Sequence, residues 1–249
     1  MTNKIYNYLL DIIKTKGAGY LVLIDPDQKN NSNIIENVQA ANEYGVDALL
    51  VGGSLMMDSK NHARIAQIKQ YAKIPVIFFP GGVMQLNGHY DAMFFMSILS
   101  GRNPHYLIGE QAIAAPIVKD IGVETIPMGY LLLNGGITST VEFMSGTKPI
   151  PMNRPEITVA HALAAQYLGM KFVYLEAGSG AKNPVTLEII KAVRSQLGIP
   201  IIVGGGIKNP KEAAERAESG ASLIVTGTIT ENPNNFSVMQ DFAKAIHYL

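Results

Sequence analysis

The chain has 249 residues, the usual size of one α/β barrel, and 47% of them are apolar. Lysine and arginine together number 20, as do aspartate and glutamate, so no net charge recruits nucleic acid or an anionic membrane. The absence of cysteine excludes disulfides, thiolate nucleophiles and zinc–thiolate sites, and it fits a cytoplasmic protein. Charged residues make up only 16%, which favours a homo-oligomer with buried subunit surface.

The first segment, residues 1–16, has apolar side chains at helical spacing with lysines between them. This pattern predicts an amphipathic helix rather than a secretory signal. The longest apolar runs, such as Ala92–Leu99, are far too short to span a bilayer. We therefore expect a soluble protein without stable membrane insertion.

Short β-rich runs alternate with amphipathic, helix-length segments along the rest of the chain. The predicted strands are Gly19–Ile24, Ala48–Val51, Val76–Phe79, Ala92–Met96, Glu124–Leu133, Phe172–Glu176, Pro200–Gly204 and Leu223–Thr226. The predicted helices are Ser32–Tyr44, Ala63–Tyr71, Gln111–Ile121, Arg154–Leu168, Pro184–Leu197, Pro210–Ser219 and Phe236–His247. Ser32 and Asn183-Pro184 are the clearest predicted helix starts.

Eight strands joined by long connections predict a closed, parallel (β/α)₈ TIM barrel, with an open doubly wound sheet as the alternative. The segment Pro80–Tyr90 is too short and rich in glycine for a regular helix, so the third helix is expected to be a loop. No linker interrupts the pattern. Residues 1–249 are therefore predicted to form a single domain.

Glycines follow the last two predicted strands, where parallel barrels commonly bind phosphate. Gly204, Gly205 and Gly206 come after strand 7, and Gly227 and Thr228 come after strand 8. Glycine lets backbone N–H groups approach an anion closely, although a tight turn would also need it. Two such turns in corresponding positions favour a phosphate site.

Strand 6 ends in a run that combines a carboxylate with a second glycine-rich turn. The run consists of Tyr174, Leu175, Glu176, Ala177, Gly178, Ser179 and Gly180. The turn would supply N–H donors and a hydroxyl to the same anion. Glu176 would point at the barrel mouth and bind a ligand hydroxyl or accept its proton, unless it is only a solvated loop residue.

Carboxylates and a hydroxyl follow the first two strands. Asp25 and Asp27 come after strand 1, and Ser54 comes after strand 2. Asp25 and Ser54 could together hold Mg²⁺, which needs few carboxylates when phosphate and water complete its shell, and Asp27 could assist. Helix capping and turn formation explain these residues equally well.

The middle of the chain is rich in methionine and aromatic residues around strands 3 to 5. Many of these side chains are ordinary core, but with the third helix missing the remainder could line an apolar groove down one flank. A groove lined by methionine suits a flexible hydrocarbon.

The combination of these motifs resembles the geranylgeranylglyceryl phosphate synthase family over the full length of the chain. The motifs are Leu-Ile-Asp-Pro-Asp at 23–27, Val-Gly-Gly-Ser at 51–54, Pro-Met-Gly-Tyr at 127–130, Tyr-Leu-Glu-Ala-Gly-Ser-Gly at 174–180, Val-Gly-Gly-Gly-Ile at 203–207 and Thr-Gly-Thr at 226–228. The run at 174–180 is the most specific of them.

The resemblance implies an Mg²⁺-dependent prenyltransferase that joins sn-glycerol 1-phosphate to a long-chain prenyl diphosphate, with geranylgeranyl diphosphate the expected donor. It implies Asp25 and Ser54 as metal ligands. It also implies that residues 174–180, Gly205, Gly206, Gly227 and Thr228 hold the glycerol phosphate.

One position departs from the shorter bacterial members of this family. They carry lysine two residues before the metal-binding aspartate, where this chain has Leu23. The chain is therefore similar to the longer, archaeal-like subgroup. Two other functions stay open: an isomerase or cyclase of amino-acid biosynthesis, which would need paired acid and base groups, and a non-catalytic barrel that senses a phosphorylated metabolite.

Overall fold

A computed structural model of the chain describes residues 3–231 and 236–248. Eight parallel strands form a closed barrel in chain order, and the last strand pairs with the first. The strands are β1 (Gly19–Ile24), β2 (Ala48–Val51), β3 (Val76–Phe78), β4 (Ala92–Ile98), β5 (Glu124–Leu132), β6 (Phe172–Glu176), β7 (Ile201–Gly204) and β8 (Leu223–Thr226). The predicted TIM barrel is confirmed, and the open sheet is excluded because β1 and β8 are paired.

Helices surround the barrel as the hydrophobic periodicity predicts. They are α1 (Lys4–Lys16), α2 (Ile34–Glu43), α3 (Asn61–Tyr71), α4 (Glu110–Ile121), α5 (Thr140–Ser145), α6 (Pro155–Tyr167), α7 (Leu187–Arg194), α8 (Pro210–Glu218) and α9 (Val238–Ile246). Two predicted starts are wrong. The residue before α2 is Asn33, and α7 begins after Thr186, whose hydroxyl accepts the N–H of Ile189.

No regular helix joins β3 to β4 in the described chain, as predicted. A single 3₁₀ turn, Val83–Gln85, occupies the connection. The short helix α5, which the sequence pattern does not indicate, lies in the long connection from β5 to α6. A π-helical turn, His105–Gly109, leads into α4. The mouth of the barrel on the side of strands 3 to 5 is therefore built from short turns rather than from long helices.

The side chains of the strands alternate between two apolar layers. One layer fills the barrel and includes Phe94, Phe172 and Tyr174, and the other lies between the strands and the surrounding helices. Helix α1 belongs to the inner layer, because Ile5 and Leu9 pack into the bottom of the barrel. The N-terminal helix therefore closes the end of the barrel opposite the strand C-termini.

A buried carboxylate holds α1 in this position. Oε2 of Glu124, at the start of β5, accepts the N–H of Ile5 at 2.9 Å, and Oε1 accepts the N–H of Tyr6 at 2.8 Å. Both N–H groups lie in the first turn of the helix, where they have no partner within the helix. A negative charge at this end also interacts favourably with the helix dipole. No described helix is long and apolar enough to cross a membrane.

Asp47 joins both ends of the chain to the base of the barrel. Its buried carboxylate lies 2.8 Å from Nε2 of His247, 2.5 Å from Nζ of Lys16, and 2.8 Å from the N–H of Tyr20 that it accepts. Burial opposes ionisation, but these partners outweigh it and hold the pKa of Asp47 below its usual value. The ionised form of Asp47 therefore stabilises the fold.

Replacing Asp47 with asparagine should lower the free energy of unfolding at pH 7 by about 2–4 kcal/mol, because Lys16 loses a buried partner. A lowered pKa stabilises the fold above the unfolded-state value and ceases to do so as pH falls through the folded-state value. The difference between wild type and variant should therefore shrink below about pH 4.

Urea denaturation at pH 7 and at pH 3 measures both effects. The matched control is Asp120→Asn on the exposed surface of α4, which should change neither value. Equal stability of wild type and Asp47→Asn at pH 7 would contradict the assignment.

Candidate active site at the mouth of the barrel

A cavity of about 800 Å³ opens at the C-terminal ends of the strands. Most of the residues singled out in the sequence line this cavity. These are Asp25, Asp27, Ser54, Tyr174, Glu176, Ser179, Gly180, Gly205, Gly206, Gly227 and Thr228. Leu175 and Ala177 belong instead to the apolar layer under the helices, because side chains alternate along β6. The structure thus brings the two predicted halves of the site into one cavity.

Glu176 is a buried carboxylate at the end of β6. The strand register places it beside Leu132 of β5 and Gly204 of β7. Its Oε1 accepts the backbone N–H of Gly178 at 2.6 Å, and its carboxylate also accepts a hydrogen bond from the hydroxyl of Tyr174. The N–H of Gly178, which the sequence assigned to the anion, donates to Glu176 in this structure.

Burial raises the pKa of Glu176 to about 7, against the opposing effect of the hydrogen bonds from Gly178 and Tyr174. Two tyrosines lie next to it. The rings of Tyr130 and Tyr174 stack with centroids 5.5 Å apart, and burial followed by the nearby Glu176 charge raises both of their pKa values. The tyrosines therefore stay protonated near neutral pH, where Glu176 can either hold or release a proton.

The glycines at the end of β7 are needed because of the groups they face. A Cβ at Gly204 would collide with the Tyr174 hydroxyl. A Cβ at Gly205 would collide with Oε1 of Glu176, and Gly205 has a left-handed backbone with φ of +82°. A simple tight turn would explain the backbone angle but not both close approaches. The turn therefore shapes the wall around Glu176.

Polar groups of the neighbouring loops line the same end of the cavity. The hydroxyls of Ser179 and Thr228 lie 3.4 Å apart. Lys208 lines the cavity after β7, and its Nζ donates to the carbonyl of Lys182 at 3.3 Å. Helix α8 starts just beyond, with Asn209 as its N-cap. Hydroxyls, an ammonium group and glycine backbone are the groups that bind a phosphate.

Asp25 lies on the other side of the mouth, after β1. Its Oδ2 is 3.2 Å from Nζ of Lys29, whereas its Oδ1 is buried and has no hydrogen-bond partner among the described residues. Burial raises the pKa of Asp25, with Lys29 opposing the shift. Glu231 interacts electrostatically with both residues, and burial raises its pKa too. A buried carboxylate oxygen without a partner is suited to a cation.

Asp27 has a different environment from Asp25. Its Oδ2 accepts the N–H of Met57 at 2.7 Å, and its Oδ1 accepts the N–H of Lys29 at 3.3 Å. Burial opposes ionisation, but these backbone donors lower the pKa of Asp27. Because both oxygens are occupied by backbone, Asp27 joins the loop after β1 to the loop after β2 that carries Ser54.

The described residues fit a magnesium ion better than a metal bound only by protein. They contain no group of three or more histidine, aspartate or glutamate side chains that could hold a metal. Mg²⁺ needs only one or two carboxylates when water and phosphate complete its octahedral shell. Asp25, with its unpaired Oδ1, and the exposed Ser54 supply such a partial set, and both residues line the cavity.

The cavity continues away from these polar groups as an apolar groove. Phe78 and Met93 belong to the outer layer of the barrel wall, yet they line the cavity, on the flank where only a 3₁₀ turn connects β3 to β4. Phe95, Met96 and Ala114 of α4 continue the lining. The predicted apolar groove is present on the flank where the third helix is missing.

Sequence reasoning gave no individual role to several residues of this cavity, and three of them interact with the residues that it did single out. Lys29 and Glu231 lie in loops where charged residues are usually solvated, so no spacing rule singles them out. Tyr130 occurs in the Pro-Met-Gly-Tyr motif, but its contact with Tyr174 depends on the register of β5 and β6. The i, i+4 spacing of Asp25 and Lys29 was the one available signal.

Comparison with known proteins shows the family to which the sequence belongs. The model of the PcrB family matches residues 10–246. A protein of Chitinophaga pinensis named geranylgeranylglyceryl phosphate synthase is 41% identical over 248 residues, which are 99% of this chain and 97% of that protein.

Two solved structures resemble the chain over nearly its whole length. Wild-type GGGPS from Thermoplasma volcanium has a TM-score of 0.91 at 36% identity, covering 99% of this chain and 98% of its own. The (S)-3-O-geranylgeranylglyceryl phosphate synthase of Thermoplasma acidophilum, in complex with its substrate sn-glycerol-1-phosphate, has a TM-score of 0.89 at 35% identity, with coverages of 96% and 98%. By sequence and fold, this chain belongs to the PcrB family.

Proposed function

We propose that the protein transfers a prenyl group, with geranylgeranyl the expected one, from its diphosphate to the primary hydroxyl of sn-glycerol 1-phosphate. The observation that carries the proposal is the position of Glu176. This buried carboxylate lies where the phosphate-binding loops, the Asp25 side of the mouth and the apolar groove share one cavity. The relatives named geranylgeranylglyceryl phosphate synthase, one of them solved with sn-glycerol-1-phosphate, support the same reaction.

The glycerol phosphate is assigned to the glycine-rich side of the cavity. Gly205, Gly206 and Gly227 line this side and would present backbone to the phosphate, and the hydroxyls of Ser179 and Thr228 can donate to it. The glycerol hydroxyl then lies toward Glu176. This arrangement uses the carboxylate for a neutral hydroxyl and keeps it away from the phosphate charge.

The prenyl diphosphate is assigned to the opposite side. The free Oδ1 of Asp25 and the hydroxyl of Ser54 would hold Mg²⁺, which supplies charge neutralisation for the departing diphosphate when it is bound. The hydrocarbon tail extends into the groove past Phe78 and Met93. Methionine and aromatic side chains adapt to a flexible chain without polar cost.

The reaction exchanges one bond for another at the first carbon of the prenyl chain. The bond to the diphosphate oxygen breaks, the glycerol hydroxyl oxygen forms the new ether bond, and its proton passes to the carboxylate of Glu176. Tyr174 donates a hydrogen bond to that carboxylate and fixes its orientation. Holding both substrates in one cavity replaces a high concentration of the second substrate.

The alternatives are less well supported by the cavity. An isomerase or cyclase would use an acid and a base on opposite sides of one small substrate, whereas here the opposite side carries a partial cation site. A sensor of a phosphorylated metabolite would need neither the free Oδ1 of Asp25 nor an apolar groove.

We further propose that two copies of the chain associate through the outer face of α4. Ile113 and Ile117 lie one helical turn apart there and are 54% and 43% exposed, with Pro116 also exposed between them. A row of large apolar side chains on the outside of a barrel helix is typical of a subunit contact.

Incubating the protein with Mg²⁺, labelled sn-glycerol 1-phosphate and prenyl diphosphates of several lengths should yield a labelled product that organic solvent extracts. Removing Mg²⁺ with EDTA should abolish its formation, and Asp25→Asn should do the same at any Mg²⁺ concentration. Full activity of Asp25→Asn would refute the metal assignment. No product with any prenyl diphosphate would refute the proposed reaction.

Replacing Glu176 with glutamine should lower kcat by about 10²- to 10⁴-fold, the usual contribution of a general base. In the wild type, kcat/KM for glycerol 1-phosphate should rise with pH through about 7, because only the ionised carboxylate accepts a proton. The residual activity of the variant should lack this limb, which separates Glu176 from titration of the substrate phosphate. The control is Glu218→Gln on the exposed face of α8. Near-normal turnover of Glu176→Gln would exclude the role of base.

Replacing Ile113 with glutamate should weaken self-association by more than about tenfold, because a charge would be buried in the contact. Light scattering coupled to size-exclusion chromatography measures the change. Tyr167→Glu, at the exposed end of α6, is the control and should leave the assembly unchanged. If the assembly survives Ile113→Glu, the contact lies elsewhere.

A further inference from the structure

Lys29 is the cation nearest to Asp25, the residue assigned to the metal. Its Nζ lies 3.2 Å from Oδ2 of Asp25, and its side chain lines the cavity. Glu231 also lines the cavity and interacts with the ammonium group electrostatically. A divalent cation on Oδ1 of Asp25 would share the carboxylate with this ammonium group, and the two positive charges would repel each other.

The backbone of Lys29 is held firmly although its side chain is not. Lys29 belongs to the 3₁₀ turn Gln28–Asn30, which Asp27 caps by accepting the N–H of Lys29. The side-chain amide of Asn30 donates to the carbonyl of Asp25 at 3.0 Å, which fixes the start of the turn. The side chain of Lys29 is 58% exposed. Its four methylene groups can therefore move the ammonium group while its Cα stays in place.

The cavity has few positively charged side chains, although both proposed substrates carry phosphate groups. Among the described residues that line it, Lys29 and Lys208 are the only lysines or arginines, against five carboxylic acids. Lys208 lies after β7 on the glycine-rich side, whereas Lys29 lies after β1 with Asp25. Each side of the cavity thus has one lysine, and the reaction proposed above brings one phosphorylated group to each side.

We propose that Lys29 binds the diphosphate of the prenyl substrate and that it reaches this ligand by leaving Asp25. In the free protein its ammonium group neutralises Asp25 and Glu231. When a divalent cation takes over Asp25, the ammonium group turns to a diphosphate oxygen and stabilises the charge of the departing group. This inference rests on the proposed function, and it assigns to Lys29 a ligand of one chemical class, a metal-bound diphosphate.

The exchange has two consequences of opposite sign. Lysine and the divalent cation compete for Asp25, so removing the ammonium group should strengthen metal binding in the absence of diphosphate. The same removal deletes a charged hydrogen-bond donor to the diphosphate, so it should weaken binding of that ligand when metal is present. A lysine that served only to stabilise the loop would not produce this pair of changes.

The test uses Lys29→Gln, with Mn²⁺ and inorganic pyrophosphate as probes in isothermal titration calorimetry. Mn²⁺ alone should bind the variant about two- to fivefold more tightly than it binds the wild type, as expected for loss of one partly exposed ion pair. Pyrophosphate with saturating Mn²⁺ should bind about tenfold more weakly or worse. The KM for prenyl diphosphate should rise, and the KM for glycerol 1-phosphate should stay the same.

Three further variants serve as controls. Lys29→Arg should recover most of the pyrophosphate affinity. Lys208→Gln should keep the affinities for Mn²⁺ and pyrophosphate but weaken binding of glycerol 1-phosphate. Lys60→Gln, an exposed lysine outside the cavity, should leave every value unchanged. Unchanged affinity of Lys29→Gln for either Mn²⁺ or pyrophosphate would overturn the proposal.

The binding probes also separate this inference from the proposed reaction. If the wild type forms no ether product but Lys29→Gln changes both affinities as described, the reaction is wrong and the role of Lys29 stands. If the wild type forms product and the variant shows no change in either affinity, the role of Lys29 is wrong and the reaction stands.

Discussion

Closure of the barrel is the constraint on which the rest of the structure depends. Each parallel strand ends at the same rim, and the pairing of β8 with β1 makes that rim a ring. Residues that are far apart in the chain, such as Asp25 and Glu176, therefore line one cavity. At the opposite end, α1 fills the barrel and Glu124 binds its first turn. The closed base lets the molecule have one open end, which is where the polar residues gather.

Burial of the Glu176 carboxylate at that rim has a desolvation cost, because it removes most of the water that would stabilise the charge. Glu176 is tolerated there because Tyr174 and the N–H of Gly178 donate hydrogen bonds to it, and because the glycines of β7 leave room for both groups. The result is an acid that titrates near neutral pH. A residue in this condition can take a proton from a hydroxyl, which a solvated glutamate does far less well.

The missing helix after β3 has a comparable effect on the apolar side. In the remaining connections a helix covers the outer face of the strands, and the side chains between them form a dry core. Where the helix is replaced by Val83–Gln85, the outer face of β3 and β4 instead lines the cavity. Phe78 and Met93 therefore line a groove instead of packing in a closed core. The short connection between β3 and β4 thus leaves an apolar groove in the barrel wall.

The sequence by itself determined the order and type of the strands and main helices, because apolar periodicity depends only on neighbouring residues. It also indicated which strand ends carry glycine, carboxylate or hydroxyl groups, and hence the two sides of the site. It misplaced the start of α7 and missed α5, since capping and short helices depend on a few local contacts. Only the tertiary structure decided that Gly178 donates to Glu176, that Asp27 binds backbone, and that Lys29 faces Asp25. The contact of Asp27 with Met57 joins loops that follow different strands, so it exists only after the barrel closes. The other two contacts lie within one loop each, where the folded backbone and its burial decide which groups meet.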